Sequence, residues 1–390
     1  MSRIVLVLGS SMGGVGRHVR MLAGGLVTRG HRVLVAGPGG TEEAFSFTGT
    51  GAGFAEVEIA DRPHPAHDLR TALRLRGLAR GADVVHAHGL RAGALAALAL
   101  TGSRGWPRLV VTLHNAVTAG GAIGVVYRLL ERIVARRADR VLAISPDVAQ
   151  RMRGRGARRV DLAVVPAPPL AEPARPAEDV RAEIAARLSG TGWSGAGLSS
   201  TGLSSPGLSS TGHAPQAAQE RPILLTVARL AQQKGLETLL DAAAGPYKGD
   251  PVFVIAGDGP LREELQARVD AEELPVVLYG WAEPADLLQV ATAVIVPSRW
   301  EGQPLSVQEA LRAGRPIIAT RVGGVPAMVG EAALLVPPQD PGALSREIGR
   351  LLGEPALAAR LAQASERRGR ELPDEDAALR AVLAAYGLAS

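Results

Sequence analysis

Val294-Ile295-Val296-Pro297-Ser298-Arg299-Trp300-Glu301-Gly302-Gln303-Pro304-Leu305-Ser306-Val307-Gln308-Glu309-Ala310 packs a short apolar run, a turn and a helical pattern into one stretch. Three β-branched residues stopped by a proline read as a short buried strand. The apolar positions of 306–312 then recur at helical spacing. A strand that feeds a loop and then a helix is the unit of a parallel sheet covered by helices. Two carboxylates stand eight residues apart at this corner, Glu301 in the loop and Glu309 in the first turns of the helix. Both can face the crevice beyond the strand ends, where open α/β sheets bind ligands. Acids there can accept hydrogen bonds from hydroxyls, those of a sugar among them. A structural alternative stands beside this one, because Ser306-x-x-Glu309 also fits a capping box.

Outward from this corner the same alternation runs along the chain. Apolar runs at 4–8, 32–36, 83–86, 109–113, 141–144 and 162–165 alternate with helix-like segments such as 15–28, 69–79 and 122–137. The pattern restarts with runs at 223–227, 252–256, 276–279, 294–296, 317–319 and 334–336, with helical stretches that include 261–271 and 306–312. Two α/β domains in tandem follow, and 390 residues suit two domains. The join falls at Val165-Pro166-Ala167-Pro168-Pro169, where proline stops strand and helix alike. The expected division is 1–168, 169–372 and a C-terminal helical segment, 373–390, that packs back on the first domain. Between 189 and 219 the chain turns polar and includes GLSST-GLSSP-GLSST-G at 197–212. Such a Gly/Ser-rich tract reads as a disordered surface insertion in the second domain.

Composition removes several function classes. The chain has no cysteine, which excludes disulfide scaffolds, thiolate metal sites and cysteine nucleophiles. Twelve aromatics in the whole chain leave little to stack on bases, which disfavours nucleic-acid binding. No apolar stretch reaches the ~20 residues of a membrane span, and 4–8 is too short for a signal-peptide core. A cytoplasmic protein is expected. Residues 1–170 carry 23 arginines against 11 acids, a balance of +12, while 171–390 balance to −7. A basic half suits an anionic partner, either phosphate groups or an acidic membrane surface, so peripheral contact with the inner membrane face is part of the expectation. Arg151, Arg153, Arg155, Arg158 and Arg159 read by default as a solvated basic loop.

Other motifs fall at predicted strand ends. Gly9-Ser10-Ser11-Met12-Gly13-Gly14-Val15-Gly16 joins the first strand to a helix, a turn that lets backbone approach an anion. Arg229 and Lys234 follow the strand 223–227, and two cations there suit a diphosphate. Lys234 is one of two lysines against 41 arginines. Gly257-Asp258-Gly259-Pro260 is a tight strand-to-helix turn, and Gly323-Gly324-Val325-Pro326 opens another short helix. His86 and His88 have no further visible ligand set, so no metal site is expected. Asp374-Glu375-Asp376 reads as a charged helix start.

The order R-x4-KG, GDGP, PSxxEG-x6-EA, AGxPIIAT and GGVP resembles the retaining glycosyltransferases of family 4. The first domain agrees through Gly13-Gly14-Val15-Gly16, His86-Ala87-His88-Gly89 and Val111-Thr112-Leu113-His114-Asn115. The resemblance implies the GT-B fold, two Rossmann-like domains facing each other across a cleft. It implies that the C-terminal domain binds a nucleotide-diphosphate sugar and the N-terminal domain an acceptor, small or lipid-linked. Arg229 and Lys234 would hold the diphosphate without a metal or other cofactor. Glu301 would bind a donor-sugar hydroxyl and Glu309 the ribose. Gly14 would lie near the phosphates and His114 at the donor sugar. Gly257, Gly302, Gln303, Pro304 and Leu305 would complete the donor site. The catalytic set is then Arg229, Lys234, Glu301 and His114.

The sequence departs from the family at Pro166-Ala167-Pro168, Ala327 and Gln303-Pro304, which bears on sugar identity more than on the reaction. A sugar phosphorylase, a nucleotide-sugar epimerase and a non-catalytic sugar-nucleotide binder stand as alternatives on the same fold.

Overall fold

The computed structural model describes residues 1–10, 13–59, 64–102, 105, 107–114, 121–189 and 221–388. Asn115 and almost all of the Gly/Ser-rich tract lie outside the described residues. Two compact units emerge, one of Met1–Pro168 with Pro373–Ser390 and one of Pro169–Leu372.

Among the described residues the first unit holds a seven-stranded sheet in the order β3-β2-β1-β4-β5-β6-β7. Its strands are β1 Arg3–Leu8, β2 Arg32–Gly37, β3 Gly53–Glu56, β4 Val84–His88, β5 Arg108–Leu113, β6 Arg140–Ala143 and β7 Val160–Leu162. Every neighbouring pair is parallel. Strand order reverses between β1 and β4, so the loops that leave these two strands part in opposite directions. Right-handed crossovers then put Gly14–Thr28 and Gly39–Phe45 on one face, and Pro65–Leu78, Leu90–Ala99, Gly121–Arg137 and Pro146–Gly154 on the other.

That arrangement would leave the first face bare over β4 to β6. The helix Glu375–Tyr386 covers it, packing beside Gly14–Thr28 and against β5. Leu379, Val382, Leu383 and Tyr386 of this helix are buried. Asp374 caps its start, accepting from the Ala377 amide at 2.7 Å, so the acidic triplet is a helix N-terminus.

The second unit holds, among the described residues, a six-stranded parallel sheet in the order β10-β9-β8-β11-β12-β13. These strands are β8 Ile223–Val227, β9 Val252–Ala256, β10 Val276–Gly280, β11 Ala293–Val296, β12 Ile317–Thr320 and β13 Ala333–Val336. Alternate strand residues feed two separate cores: Leu225, Val254 and Val294 enter one, and Leu224, Phe253 and Ile295 the other. Here the order reverses between β8 and β11, the strands that carry the Arg229 and Glu301 loops.

Two elements differ from the sequence reading. β3 was not expected, because Gly53-Phe54-Ala55-Glu56 shows no apolar alternation and lies on a sheet edge. The run 162–165 is not the strand; pairing with β6 runs from Val160 to Leu162, and Leu162 is 53% exposed. The helix Leu90–Ala99 is buried over most of its length between two neighbouring helices. Among the described residues no helix is long and apolar enough to cross a membrane.

Candidate functional site

In the second unit the chemistry gathers on loops that leave the carboxyl ends of β8, β9 and β11. The loop after β8 carries Arg229 and Lys234. It is laced to the loop after β9, because the Leu230 amide donates to the Asp258 carbonyl at 2.9 Å and the Leu261 amide to the Leu230 carbonyl at 3.1 Å. Gly257 begins this second loop, its amide donating to the Gly280 carbonyl at 2.7 Å. Arg229 is exposed, and its guanidinium has no hydrogen-bond or ion-pair partner among the described residues.

Lys234 and Glu301 meet. Lys234 Nζ lies 2.6 Å from Glu301 Oε1, and Ser298 Oγ donates to the same oxygen at 2.7 Å. Glu301 is buried, and its Oε2 has no hydrogen-bond partner among the described residues. Ser298 is itself held, because Thr320 Oγ1 at the end of β12 donates to its carbonyl at 2.5 Å. The two loops are further joined by the Arg299 amide, which donates to the Gln233 carbonyl at 2.8 Å, and by an Arg299–Glu237 ion pair.

Two glycines make this approach feasible. Gly235 has φ +62, and a Cβ there would stand 2.2 Å from the Pro297 carbonyl oxygen. Gly323 has φ +51, and its Cβ would stand 1.8 Å from the Glu301 carbonyl oxygen. Neither position admits a side chain. The Gly324 amide donates to that same carbonyl at 3.0 Å. The Gly323-Gly324 turn therefore serves to hold the Glu301 backbone, and the helix it opens, Val325–Val329, is a single short turn.

Gly302 and Pro304 are buried, while Gln303 and Leu305 are half-buried at the entry to the helix Leu305–Arg312. Glu309 is half-buried in that helix. The capping-box alternative fails on position. Pro304 is the N-cap and makes no side-chain cap, so Ser306 already lies inside the helix and Glu309 beyond its first turn.

In the first unit Gly14 opens the helix that follows β1 and is exposed. His114, just past β5, is buried within a group of imidazoles that the sequence reading did not anticipate. His114 Nε2 lies 3.1 Å from His88 Nδ1, and the His18 ring stands edge-on to both, at centroid distances of 5.7 and 5.9 Å. His86, two residues before His88 on β4, sits 2.7 Å from Thr112 Oγ1 and 2.8 Å from the Tyr386 hydroxyl. Burial pushes all four imidazoles down, His18 to about 4 and His86 to about 3. His88 and His114 lie well below the usual histidine value, through burial first and neighbouring imidazoles second. The cluster is thus uncharged at neutral pH. His18 Nδ1 and His88 Nε2 are buried without a hydrogen-bond partner among the described residues. No group of three or more His, Asp or Glu among the described residues is arranged to hold a metal ion.

The basic run at 151–159 is less solvated than expected. Arg151 and Arg155 reach the buried Glu131 at 3.0 and 3.3 Å, and Arg153 donates to the Val160 carbonyl at 2.9 Å. Ser298, Thr320 and His18 are the residues that sequence reasoning missed. Ser298 and Thr320 lay inside quoted motifs, and neither had been given a role.

Residues 13–168 match the glycosyl transferase 4-like domain, and residues 221–354 match glycosyl transferases group 1. Together with the two parallel-sheet units, these matches place the chain in the GT-B glycosyltransferase superfamily. The chain is 33% identical over 153 residues to the alpha-D-kanosaminyltransferase of Streptomyces kanamyceticus, covering 37% of this chain and 40% of that one. It is 34% identical over 157 residues to the D-rhamnosyltransferase WbpZ of Pseudomonas aeruginosa, covering 38% and 40%. These matches span about two fifths of each relative's length. A longer match, 25% identical over 396 residues, joins the chain to the glycogen synthase of Mycobacterium tuberculosis, covering 92% and 86%. Among solved structures, Anabaena HepE in complex with UDP and glucose shares the GT-B fold. Its TM-score is 0.75 at 16% identity, over 99% of this chain and 100% of that one.

Proposed function

We propose that this GT-B chain is a retaining, metal-independent glycosyltransferase that moves a sugar from a nucleotide-diphosphate sugar to a hydroxyl of a small or lipid-linked acceptor. One observation carries the reading. Glu301 has one oxygen fixed by Lys234 and Ser298 and the other left open, on a loop at the β8–β11 switch point with Arg229 exposed on the neighbouring loop. The family matches and the UDP and glucose in HepE support it.

In this reading Arg229 and Lys234 hold the diphosphate. An ammonium has three donors, so Lys234 can keep Glu301 and still reach a phosphate oxygen. Both cations stabilise the charge that grows as the bond between sugar C1 and the phosphate oxygen breaks. The acceptor oxygen bonds to C1 on the same face, and its proton passes to the departing phosphate oxygen. Glu301 Oε2 accepts from a hydroxyl of the donor sugar and Glu309 from the ribose. Gly257, Gly302, Gln303, Pro304 and Leu305 flank the nucleotide sugar. Gly14 in the first unit serves the phosphates, and His114, uncharged, offers a neutral hydrogen-bonding group to the donor sugar.

Melting with a panel of nucleotide sugars tests the reading, because a bound donor raises stability by mass action. One donor should raise the midpoint, and the product's anomeric centre, read by NMR, should keep the donor's configuration with chelator present. No shift with any donor, an inverted product or loss of turnover in chelator would each count against it. Phosphate-dependent release of a sugar phosphate, or epimerised donor without acceptor, would replace it with a phosphorylase or an epimerase.

A further inference from the structure

Three crossover helices of the first unit, Pro65–Leu78, Leu90–Ala99 and Gly121–Arg137, lie side by side on one face of the sheet. The outer two expose large apolar side chains: Leu69 62%, Leu73 60%, Val125 56%, Val126 39% and Leu129 57%. Leu69 and Leu73 are four residues apart, as are Val125 and Leu129, so each pair forms a stripe along its helix. Beside each stripe runs a second pair at the same spacing, Arg70 with Arg74 and Arg128 with Arg132, all four exposed.

Acids on these helices do not offset that charge. Asp68 is tied to Arg91 at 2.7 Å, and Glu131, with a side chain only 3% exposed, is tied to Arg151 and Arg155. The exposed charge on the three helices is therefore wholly positive. Apolar side chains interleaved with arginine, whose aliphatic stems lie along apolar surface while the guanidinium stays at the polar layer, are what a bilayer interface accommodates.

We propose that this face docks peripherally on an anionic lipid bilayer. A second copy of the chain suits the face poorly, because a two-fold contact would set arginine against arginine. Nucleic acid suits it poorly as well, because leucine and valine offer no stacking surface. The geometry adds a direction. Crossover helices run against the strands, so the starts of Pro65–Leu78 and Gly121–Arg137 lie at the carboxyl ends of the sheet, the edge that carries Gly14 and His114. A bilayer held there would present acceptors at that edge. The docking itself does not depend on sugar transfer and can hold or fail independently of it.

Flotation with phosphatidylglycerol vesicles and with phosphatidylcholine vesicles, across a salt series, tests the proposal. The chain should float with the anionic vesicles, lose recovery as salt rises, and stay unbound with neutral ones. Combined Arg70→Gln, Arg74→Gln, Arg128→Gln and Arg132→Gln should lower partitioning at least about tenfold. The four Arg→Lys changes should restore it. Leu69→Ser with Leu129→Ser should lower binding at fixed charge. Every variant should keep its melting midpoint and its response to the nucleotide sugar. Equal recovery on both vesicles, salt-independent recovery, variants that bind like the parent, or Lys variants that fail to bind would each overturn the proposal. So would absent vesicle binding with a chain that sediments as a dimer until Leu69 and Leu129 are changed.

Discussion

Lys234 Nζ and Ser298 Oγ converge on one oxygen of Glu301, at 2.6 and 2.7 Å, and leave the other oxygen without a partner among the described residues. The carboxylate is thus aimed before any ligand arrives. Preorganisation of this kind is what electrostatic catalysis requires, since the donors need not reorient as charge develops.

The first prediction follows from that division of roles. Ser298→Ala removes one aiming contact and leaves both charges, so turnover should fall roughly fivefold, in line with about 1 kcal/mol for one hydrogen bond. Donor affinity should change little. Glu301→Gln should lower turnover further, because the amide accepts through one oxygen only. A change confined to the melting midpoint, with kcat intact, would return Ser298 and Glu301 to a structural role.

Gly235→Ala should destabilise the second unit by more than about 1 kcal/mol, since a side chain at positive φ is strained and its Cβ would meet the Pro297 carbonyl. The same clash displaces the Lys234 loop, so donor-induced stabilisation should shrink along with the midpoint. Urea denaturation with and without nucleotide sugar measures both. An unchanged midpoint would mean that the two loops do not hold this approach.

Much of the second unit's site could be read from sequence because it is nearly contiguous: Ser298, Glu301 and Glu309 fall within one quoted corner. Lys234 and Arg229 belong to a loop whose strand neighbours that corner. The first unit was harder for the same reason in reverse. His18, His86, His88 and His114 come from a helix and two strand ends far apart in sequence, and only the order β1-β4-β5 brings them together. Tyr386 joins them from the far end of the chain, where nothing local signals a partner. The strand at Val160 was misplaced because the apolar residues 163–165 follow it, while pairing with β6 rather than hydrophobicity decides where the ladder lies.

Glu309→Ala separates two uses of one residue. With Pro304 as N-cap, the substitution removes no capping interaction, so loss of a cap is not its main consequence. Nucleotide affinity should fall by about tenfold or more, the scale of one charged hydrogen bond to a hydroxyl. Titration with the free nucleoside diphosphate and with the diphosphate group alone distinguishes the cases. A variant that weakens both ligands equally would place Glu309 away from the ribose.

The histidine cluster gives the first unit a pH dependence whose sign is set by burial. His18 and His86 are pushed down to about 4 and about 3, and His88 and His114 well below the usual value of 6.5. Below 6.5 the unfolded chain takes up protons that the folded cluster refuses, so stability falls as pH falls. Each buried imidazole contributes a slope of about 1.4 kcal/mol per pH unit between 6.5 and its own folded value. For His18 that window closes near 4 and for His86 near 3. Urea midpoints at pH 7.5, 6.5, 5.5 and 5.0 should therefore be flat above 6.5 and drop steeply below it. His18→Leu removes one titrating group from the buried cluster, so its curve should be shallower by about one proton even if its stability at pH 7.5 is lower. Tyr386→Phe is the control: it deletes the hydroxyl 2.8 Å from His86 without removing an imidazole, so it should shift the whole curve down and keep the slope. A parent protein whose midpoint holds steady from pH 7.5 to 5.0 would mean that these rings are hydrated or open to solvent, and the buried cluster would be wrong.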